Sequence, residues 1–524
     1  MPGGAGTSGS CLGVQGDGVP PASPWRPPGV SLASPWRSPP RDNLAKVCYN
    51  TRMKKKRLLA FVLAALTAVS LTAQGAAECA CPDAYTHEQR QQIIDDVLAR
   101  YDTMGASIAI VSGGQVVDTF VYGRANRAEN LPVTEDTYFK IASVTKMVSA
   151  LGVMRLVENR WVELDADASA YLPCTLRNPY FPDTPVTVRQ IMTHTATLAD
   201  DFHYKRATDG SNITPLTTVL TGRQSRENFT RYRPGTDCDY SNFGGGLLGV
   251  IIEQMTGMTV DEYMQTYIFE PIGVTAAYHT PNLPAGAQIA RMYNTESGGM
   301  TVDMMASDET HWDADPELDY THTAGGLMCT AEGLARLLIC ILGDGTYNGA
   351  RILRPETVEA MRTLQNNVGS VACETNRGLN MNILTDVIVD GRTMYGHQGK
   401  AYGMIAAAYG DPADGTGMVM ITNGCDPSTF NSVARIVRAL FTAVYDGWLD
   451  DSGAYALSAP VPTPALPPEP TPTAPLKTEP SPTALPEIPQ DEAPAFDGAL
   501  AITAADWLFQ EDTLTQWSDE PKVF

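Results

Sequence analysis

No uninterrupted apolar run in this 524-residue chain reaches the roughly 20 residues that a membrane-spanning helix needs, which excludes a multispanning membrane protein. Basic charge is scarce outside one stretch. Arg and Lys crowd the first 57 residues, while the whole chain carries a formal net charge of −22. Such a surface repels phosphate backbones and anionic headgroups, and no local basic patch offsets it, so nucleic-acid binding is not expected. A small-molecule or peptide substrate fits better. Closely spaced cysteines are lacking too: Cys174, Cys238, Cys329, Cys340, Cys373 and Cys425 resemble neither a zinc ribbon nor a small stapled scaffold. The bare Cys79-x-Cys81 pair is weak evidence for a metal site, and the acidic stretch around His311 reads as a solvated loop. No metal and no cofactor are expected.

Composition divides the chain. Met53 to Arg57 is basic, Leu58 to Ala73 is apolar, and small residues follow around Gly75 to Ala77. That order predicts a secretory signal at 53–77, with cleavage after Ala77, and hence an extracytoplasmic protein. An uncleaved N-terminal anchor is the alternative, disfavoured by the short apolar run. Neither Cys79 nor Cys81 follows the Leu-small-small pattern of a lipoprotein site. Residues 1–52, rich in Pro, Gly and Ser, read as an over-called start or a disordered leader. From 458 to 493, Pro recurs among Thr, Ala and Glu, which predicts an extended linker. Residues 494–524 form a short acidic tail, and 78–457 is left as the folded domain.

Within that domain, helical spacing over 86–102 precedes a hairpin, Ala106–Val111 and Val116–Tyr122 about a Gly113-Gly114 turn. Helices are expected at 143–158, 186–194, 243–256, 259–268 and 330–342. Strand character returns at Asn380–Val389, Thr393–Tyr395, Met404–Tyr409 and Met418–Thr422, before a closing helix at Asn431–Tyr445. Strands at both ends with helices between them predict a mixed α/β (α+β) fold, an antiparallel sheet flanked by helices plus a helical lobe. The substrate cleft would lie between the two.

Three constellations carry chemistry. In the first, Ser143 and Lys146 stand three residues apart at a helix start, on one face. Serine is a poor nucleophile without a base, and an amine can serve as one; the helix N-terminus adds positive charge where an oxyanion forms. A helix cap followed by a solvated lysine explains the same letters. The second is Tyr240-Ser241-Asn242, ahead of a Gly-rich helix start. A phenol beside an ammonium can shuttle the serine proton, and Asn242 offers an amide to a substrate carbonyl. A packed core tyrosine is the plain alternative. The third is His397-Gln398-Gly399-Lys400 on a late strand. Gly399 permits close backbone approach, so the Lys400 and Ser143 amides can form an oxyanion hole. His194 is read as packing beneath the site.

Taken together and in this order, the three resemble the penicillin-recognising serine hydrolases, within the branch of class C β-lactamases and serine DD-peptidases. Further resemblance lies in Met192–Leu198, Ile252–Gly257, Pro271–Gly273 and Ala324–Leu327, so that it spans roughly residues 90 to 445. It implies a penicillin-binding, β-lactamase-like fold and an acyl-enzyme on Ser143, with Lys146 and Tyr240 as the general-base pair and Asn242 and His397 lining the substrate site. The implied partner is a peptidoglycan stem peptide or a β-lactam. Two positions depart from the pattern: Gln398 stands where a hydroxyl would bind the substrate carboxylate, and Lys400 where a small residue is usual. Gln398 can donate two hydrogen bonds and Lys400 can attract an anionic end. The expected function is a D-alanyl peptidase; a β-lactamase, an esterase or amidase, or a weakly catalytic lactam sensor are the alternatives.

Overall fold

The computed structural model describes residues 85–200, 214–294, 302–304, 317–318, 320–365 and 376–446. The signal, leader, linker and tail, the acidic stretch around His311, and Cys79, Cys81 and Cys373 lie outside the described residues. No helix among the described residues is long and apolar enough to cross a membrane.

The chain enters through helix α1 (His87–Arg100), opened by a capping box in which Thr86 and Gln89 satisfy each other's backbone amides. Strands β1 (Gly105–Ser112) and β2 (Gln115–Asn126) follow as the expected hairpin. Gly113 and Gly114 both adopt positive φ, 58° and 73°, the backbone that a two-residue turn between right-twisted strands demands. A short β3 (Leu131–Pro132) flanks β2. Helices α2 (Val144–Glu158), α3 (Asn242–Thr256) and α4 (Ala331–Leu342) form the middle of the chain. The C-terminal part adds β4 (Asn376–Gly378), β5 (Met381–Thr385), β6 (Thr393–Ala401), β7 (Met404–Asp411), β8 (Thr416–Thr422) and helix α5 (Arg435–Tyr445).

All eight strands join one antiparallel sheet in the order β4-β5-β6-β7-β8-β1-β2-β3. An early and a late strand meet near its centre, where Ala106 of β1 pairs with Thr422 of β8. Both faces of the central strands are covered. Ala109 and Val111 of β1, with Ala406 and Ala408 of β7, belong to the core shared with the middle helices. Their neighbours Ile108, Ile110, Ile405 and Ala407 face α1 and α5. Double burial explains why these strands read as continuous apolar runs without alternation. Helix α5 seals its side with Ile436, Val437, Leu440, Phe441 and Val444, all at most 1% exposed, each contributing about 1.5–3 kcal/mol of transfer free energy.

Helix α2 is buried on every side, from Val144 to Met154 without a break. A helix apolar all round belongs in the middle of a structure. Lys146 is therefore carried into the interior by its neighbours. Helix α3 meets α2 and the turn at His322–Gly325. Its glycines permit that approach: a Cβ on Gly245 would stand 2.7 Å from Lys146 Cε, and one on Gly249 would stand 2.9 Å from Thr323 Cγ2.

Candidate active site

Ser143 sits at the N-cap of α2 but makes no capping hydrogen bond. Its partner is Lys146, whose Nζ donates to Ser143 Oγ at 3.2 Å, to Asn242 Oδ1 at 2.7 Å and to Ala324 O at 2.6 Å. Lys146 is fully buried, so it is not the solvated lysine of a plain helix start. The two carbonyl oxygens accept only, and they hold two of the amine's protons. Its third tetrahedral position faces Ser143, as a donor when charged and as an acceptor when neutral. That is the placement a serine-activating base requires.

The chain reaches Ser143 through Ala142, whose φ of 44° is left-handed for a residue with a Cβ. Two bonds pin the turn: Ile141 N donates to Leu327 O at 3.0 Å, and Leu327 N donates to Thr145 Oγ1 at 3.2 Å. Strand β6 closes against the same turn. A Cβ on Gly399 would collide with Ile141 O and stand 2.9 Å from Ser143 N.

The open edge of β6 follows from strand pairing. β5 pairs with β6 only over Thr393–Gly396. Further along, Lys400 pairs with Ile405, whose N–H and C=O are both engaged by Thr422 Oγ1. Main-chain groups of one strand residue point to the same side, so this is a non-hydrogen-bonded pair and the Lys400 amide points away from β7. The Lys400 amide is therefore not taken up by β7, on the part of β6 that closes against the Ser143 turn.

Strand alternation corrects the reading of the Gln398 and Lys400 side chains. His397 and Gly399 face Ser143, which turns their neighbours away. Gln398 Nε2 donates to Ser432 O, and its Oε1 accepts from Ala434 N at 3.1 Å. Lys400 Nζ donates to Pro427 O at 3.2 Å. Both side chains hold the 427–434 segment and are not directed at the cleft. Asn242 also has structural partners: its Oδ1 faces Lys146, and its Nδ2 donates to Asp200 Oδ2 at 2.7 Å.

Tyr240 occupies the centre of the cluster. Lys146 Nζ lies 5.1 Å from its ring centroid, the His194 ring is at 4.4 Å and the His397 ring at 6.4 Å. Tyr240 Oη and His397 Nε2 are buried and have no hydrogen-bond partner among the described residues. His397 donates from Nδ1 to Gln398 O at 2.6 Å, which assigns the free lone pair to Nε2. Burial, then the charges of Lys146 and Arg377, push its pKa down to about 3. His194 accepts from Ser241 N at 3.2 Å, and burial with the same two cations holds it well below its usual range. Both imidazoles are neutral.

Three residues of the cluster had no assigned role in the sequence. Asp200 accepts from Asn242 N, Phe243 N, Asn242 Nδ2 and Ser241 Oγ at 2.7–3.2 Å; it caps α3 and fixes the Asn242 amide with its oxygen toward Lys146. Ala324 supplies a carbonyl, and Arg377 of β4 stands 5.5 Å from the Tyr240 centroid. Only Ala324 fell inside a motif noted above; no spacing rule points to the others. Cys238, two residues before Tyr240, is disulfide-bonded. Among the described residues, no group of three or more His, Cys, Asp or Glu is placed to hold a metal.

Comparison with known proteins agrees with this geometry. Penicillin-binding protein 4 of Amycolatopsis lactamdurans is 25% identical over 361 residues, 66% of this chain and 87% of that protein. Protein flp of Staphylococcus aureus strain N315 is 26% identical over 192 residues; that match spans 36% of this chain and 38% of flp's own length. Among solved structures, the octameric penicillin-binding protein homologue from Pyrococcus abyssi has a TM-score of 0.55 at 24% identity, covering 69% of this chain and 77% of that one. The D-amino acid amidase from Ochrobactrum anthropi SV3 has a TM-score of 0.53 at 23% identity, over 68% of this chain and 97% of that one. The family model described as beta-lactamase matches residues 90–443, the stretch that contains α2, α3 and β6 with every side chain placed above, and the chain therefore belongs to the beta-lactamase family of serine hydrolases.

Proposed function

We infer that this protein is an exported serine hydrolase that transfers an acyl group from D-alanyl peptides of the cell wall to Ser143 and then to water. The observation that carries the reading is Lys146 Nζ held 3.2 Å from Ser143 Oγ by two fixed carbonyl acceptors. Ser143 Oγ attacks the substrate carbonyl, and its proton passes to the Lys146–Tyr240 pair. Negative charge on the carbonyl oxygen meets the Ser143 and Lys400 amides. The leaving amine takes the proton as its bond to carbon breaks, and water releases the acyl group in a second round. Penicillin-binding protein 4, aligned over 87% of its length, supports a D-alanyl or lactam substrate. Export is supported by the basic-apolar-small order at 53–77 and by the disulfide at Cys238, a bond typical of oxidising compartments.

One observation favours a second reading, an esterase or amidase acting on substrates without a terminal carboxylate. The Gln398 and Lys400 side chains, expected to meet that carboxylate, are bound to Ser432, Ala434 and Pro427.

A panel separates the readings: fluorescent penicillin, a chromogenic cephalosporin, a D-Ala-D-Ala peptide and a short acyl ester, each with the purified protein and with Ser143→Ala. Stable penicillin labelling with D-Ala release supports the peptidase. Rapid cephalosporin turnover makes the protein a β-lactamase, and ester cleavage alone makes it an esterase. Absence of labelling and turnover with all four, or activity that survives Ser143→Ala, overturns the serine mechanism.

A further inference from the structure

Among the described residues, Arg377 is a buried cation with no carboxylate partner. It is 6% exposed; its Nη1 donates to Asn382 Oδ1 at 3.0 Å, and its Nε is buried with no hydrogen-bond partner among the described residues. No carboxylate pairs with it among those residues. An unpaired buried guanidinium is costly, because desolvation is not repaid by an opposite charge. Arg is also the side chain least able to relieve that cost by losing its proton.

What the guanidinium faces is Tyr240, at 5.5 Å from the ring centroid. The groups around that ring come from five elements. Lys146 approaches from α2 at 5.1 Å, Arg377 from β4, the neutral His194 from the segment after residue 192, and the neutral His397 from β6. Tyr409 of β7, held by Asn382 Nδ2 at 3.0 Å, is buried and pushed well above the usual phenol range. Among the described residues, two cations and no contacting carboxylate thus face one phenol ring, whose oxygen has no hydrogen-bond partner among those residues.

We propose that Arg377 is a positioning residue for acyl transfer, whose fixed positive charge stabilises the negative charge developing on Tyr240 Oη while the phenol relays a proton from Ser143 to the leaving group. The proposal rests on the acyl-transfer reading above. Arg377 gives and takes no proton; the proton leaves Ser143 Oγ as the carbon–oxygen bond forms, and ends on the leaving group as its bond to carbon breaks. With both imidazoles neutral, Lys146 alone would carry the positive charge beside the phenol. Lys146 is also the group that exchanges protons. A second cation that never titrates keeps the phenol oxygen in a positive field throughout the relay.

The test compares Arg377→Gln, which keeps a donor for Asn382 but loses the charge, with Arg377→Lys, which keeps the charge. Ser143→Ala is the control. Two substrates are used, one with a carboxylate on the leaving group and one neutral, and thermal melting is followed in parallel. Arg377→Gln is expected to lower kcat roughly ten- to hundred-fold for both substrates with little change in KM, and Arg377→Lys to recover most of it. An unchanged kcat in Arg377→Gln overturns the proposal. So does an equal loss in both variants with a matching fall in Tm, which marks a structural role, and so does a KM rise confined to the carboxylate substrate, which marks a substrate anchor. If Ser143→Ala keeps activity, the acyl-transfer reading fails; if it abolishes activity while Arg377→Gln does not alter kcat, this proposal fails alone.

Discussion

Replacing Gly399 with alanine probes the geometry on which the oxyanion site depends. The new methyl would collide with Ile141 O and stand 2.9 Å from both Ala142 Cβ and Ser143 N. None of these atoms can yield cheaply. Ile141 N is tied to Leu327 O at 3.0 Å, and Ala142 is already held at a φ of 44°. The strand must move instead, and at the 397–401 stretch β6 has no β5 partner to hold it. Its displacement carries the Lys400 amide away from Ser143 while the pairing with β7 persists. Loss of one oxyanion donor typically costs roughly 10²–10³ in kcat, or about 3–4 kcal/mol of transition-state stabilisation. Steady-state kinetics on whichever panel substrate the protein turns over, with active-site titration, should therefore show kcat reduced by that factor and KM changed little. Stability should fall by about 1–3 kcal/mol, the usual cost of overpacking. A variant with wild-type kcat would refute the assignment of Lys400 N–H, and one that fails to fold would show β6 less free to move than its pairing indicates.

Asp200→Ala should release the Asn242 amide and uncap α3, lowering kcat roughly ten-fold or more and stability by about 1–2 kcal/mol, read by kinetics and urea unfolding; unchanged kcat would separate Asn242 orientation from catalysis. Phe441→Ala, in the core away from Ser143, should cost about 3–5 kcal/mol with kcat preserved in the folded fraction, and a selective loss of activity would contradict the separation of the two cores. His397 has a folded pKa of about 3, below the roughly 6.5 of an unfolded chain. The unfolded state therefore binds the extra proton. Stability from this group is complete above pH 6.5 and falls on acidification, by about 2 kcal/mol at pH 5. Urea unfolding at pH 7 and pH 5 should show that loss in the wild type and less of it in His397→Gln; equal losses would place the titration elsewhere.

Much of the fold was legible because the strands and helices announce themselves by composition. Strand β1, α3 and α4 fall within a residue or two of the expected ranges, while β2 runs four residues past Tyr122, to Asn126. Strand β6 was expected to end at Tyr395, since Gly396, Gln398 and Gly399 weaken a strand signal. It runs to Ala401 because pairing with β7 continues through the motif. Helix α5 begins at Arg435 rather than Asn431, as a small hairpin of 429–430 with 433–434 comes first. The triplet β4 was not expected at all: three residues with an arginine in the middle carry no alternation, and its burial comes from tertiary packing. The proximity of Ser143 and Lys146 was readable because it is local. Asp200 and Arg377 were not, since each acts on residues 20 or more positions away through contacts that no periodicity encodes.

The corrected orientation of Gln398 and Lys400 changes where substrate preference resides. In a pleated strand, a motif of four consecutive residues is shared between two faces. His397 and Gly399 lie on the face toward Ser143; Gln398 and Lys400 hold the loop that precedes α5. The bonds from Gln398 to Ser432 and Ala434 and from Lys400 to Pro427 couple the catalytic strand to the 427–434 segment. Substitutions at 398 or 400 should then act through the position of that segment and of β6, not through a lost salt bridge to substrate. Gln398→Thr would shorten the side chain, restore the hydroxyl of the resemblance, and break the bonds to Ser432 O and Ala434 N at once. If the hydroxyl mattered most, the variant would bind a carboxylate-ended substrate more tightly, with KM lowered and unfolding unchanged. The strand geometry predicts the reverse: little improvement in KM, and stability lower by about 1–3 kcal/mol for the buried Ala434 N–H deprived of its Gln398 acceptor.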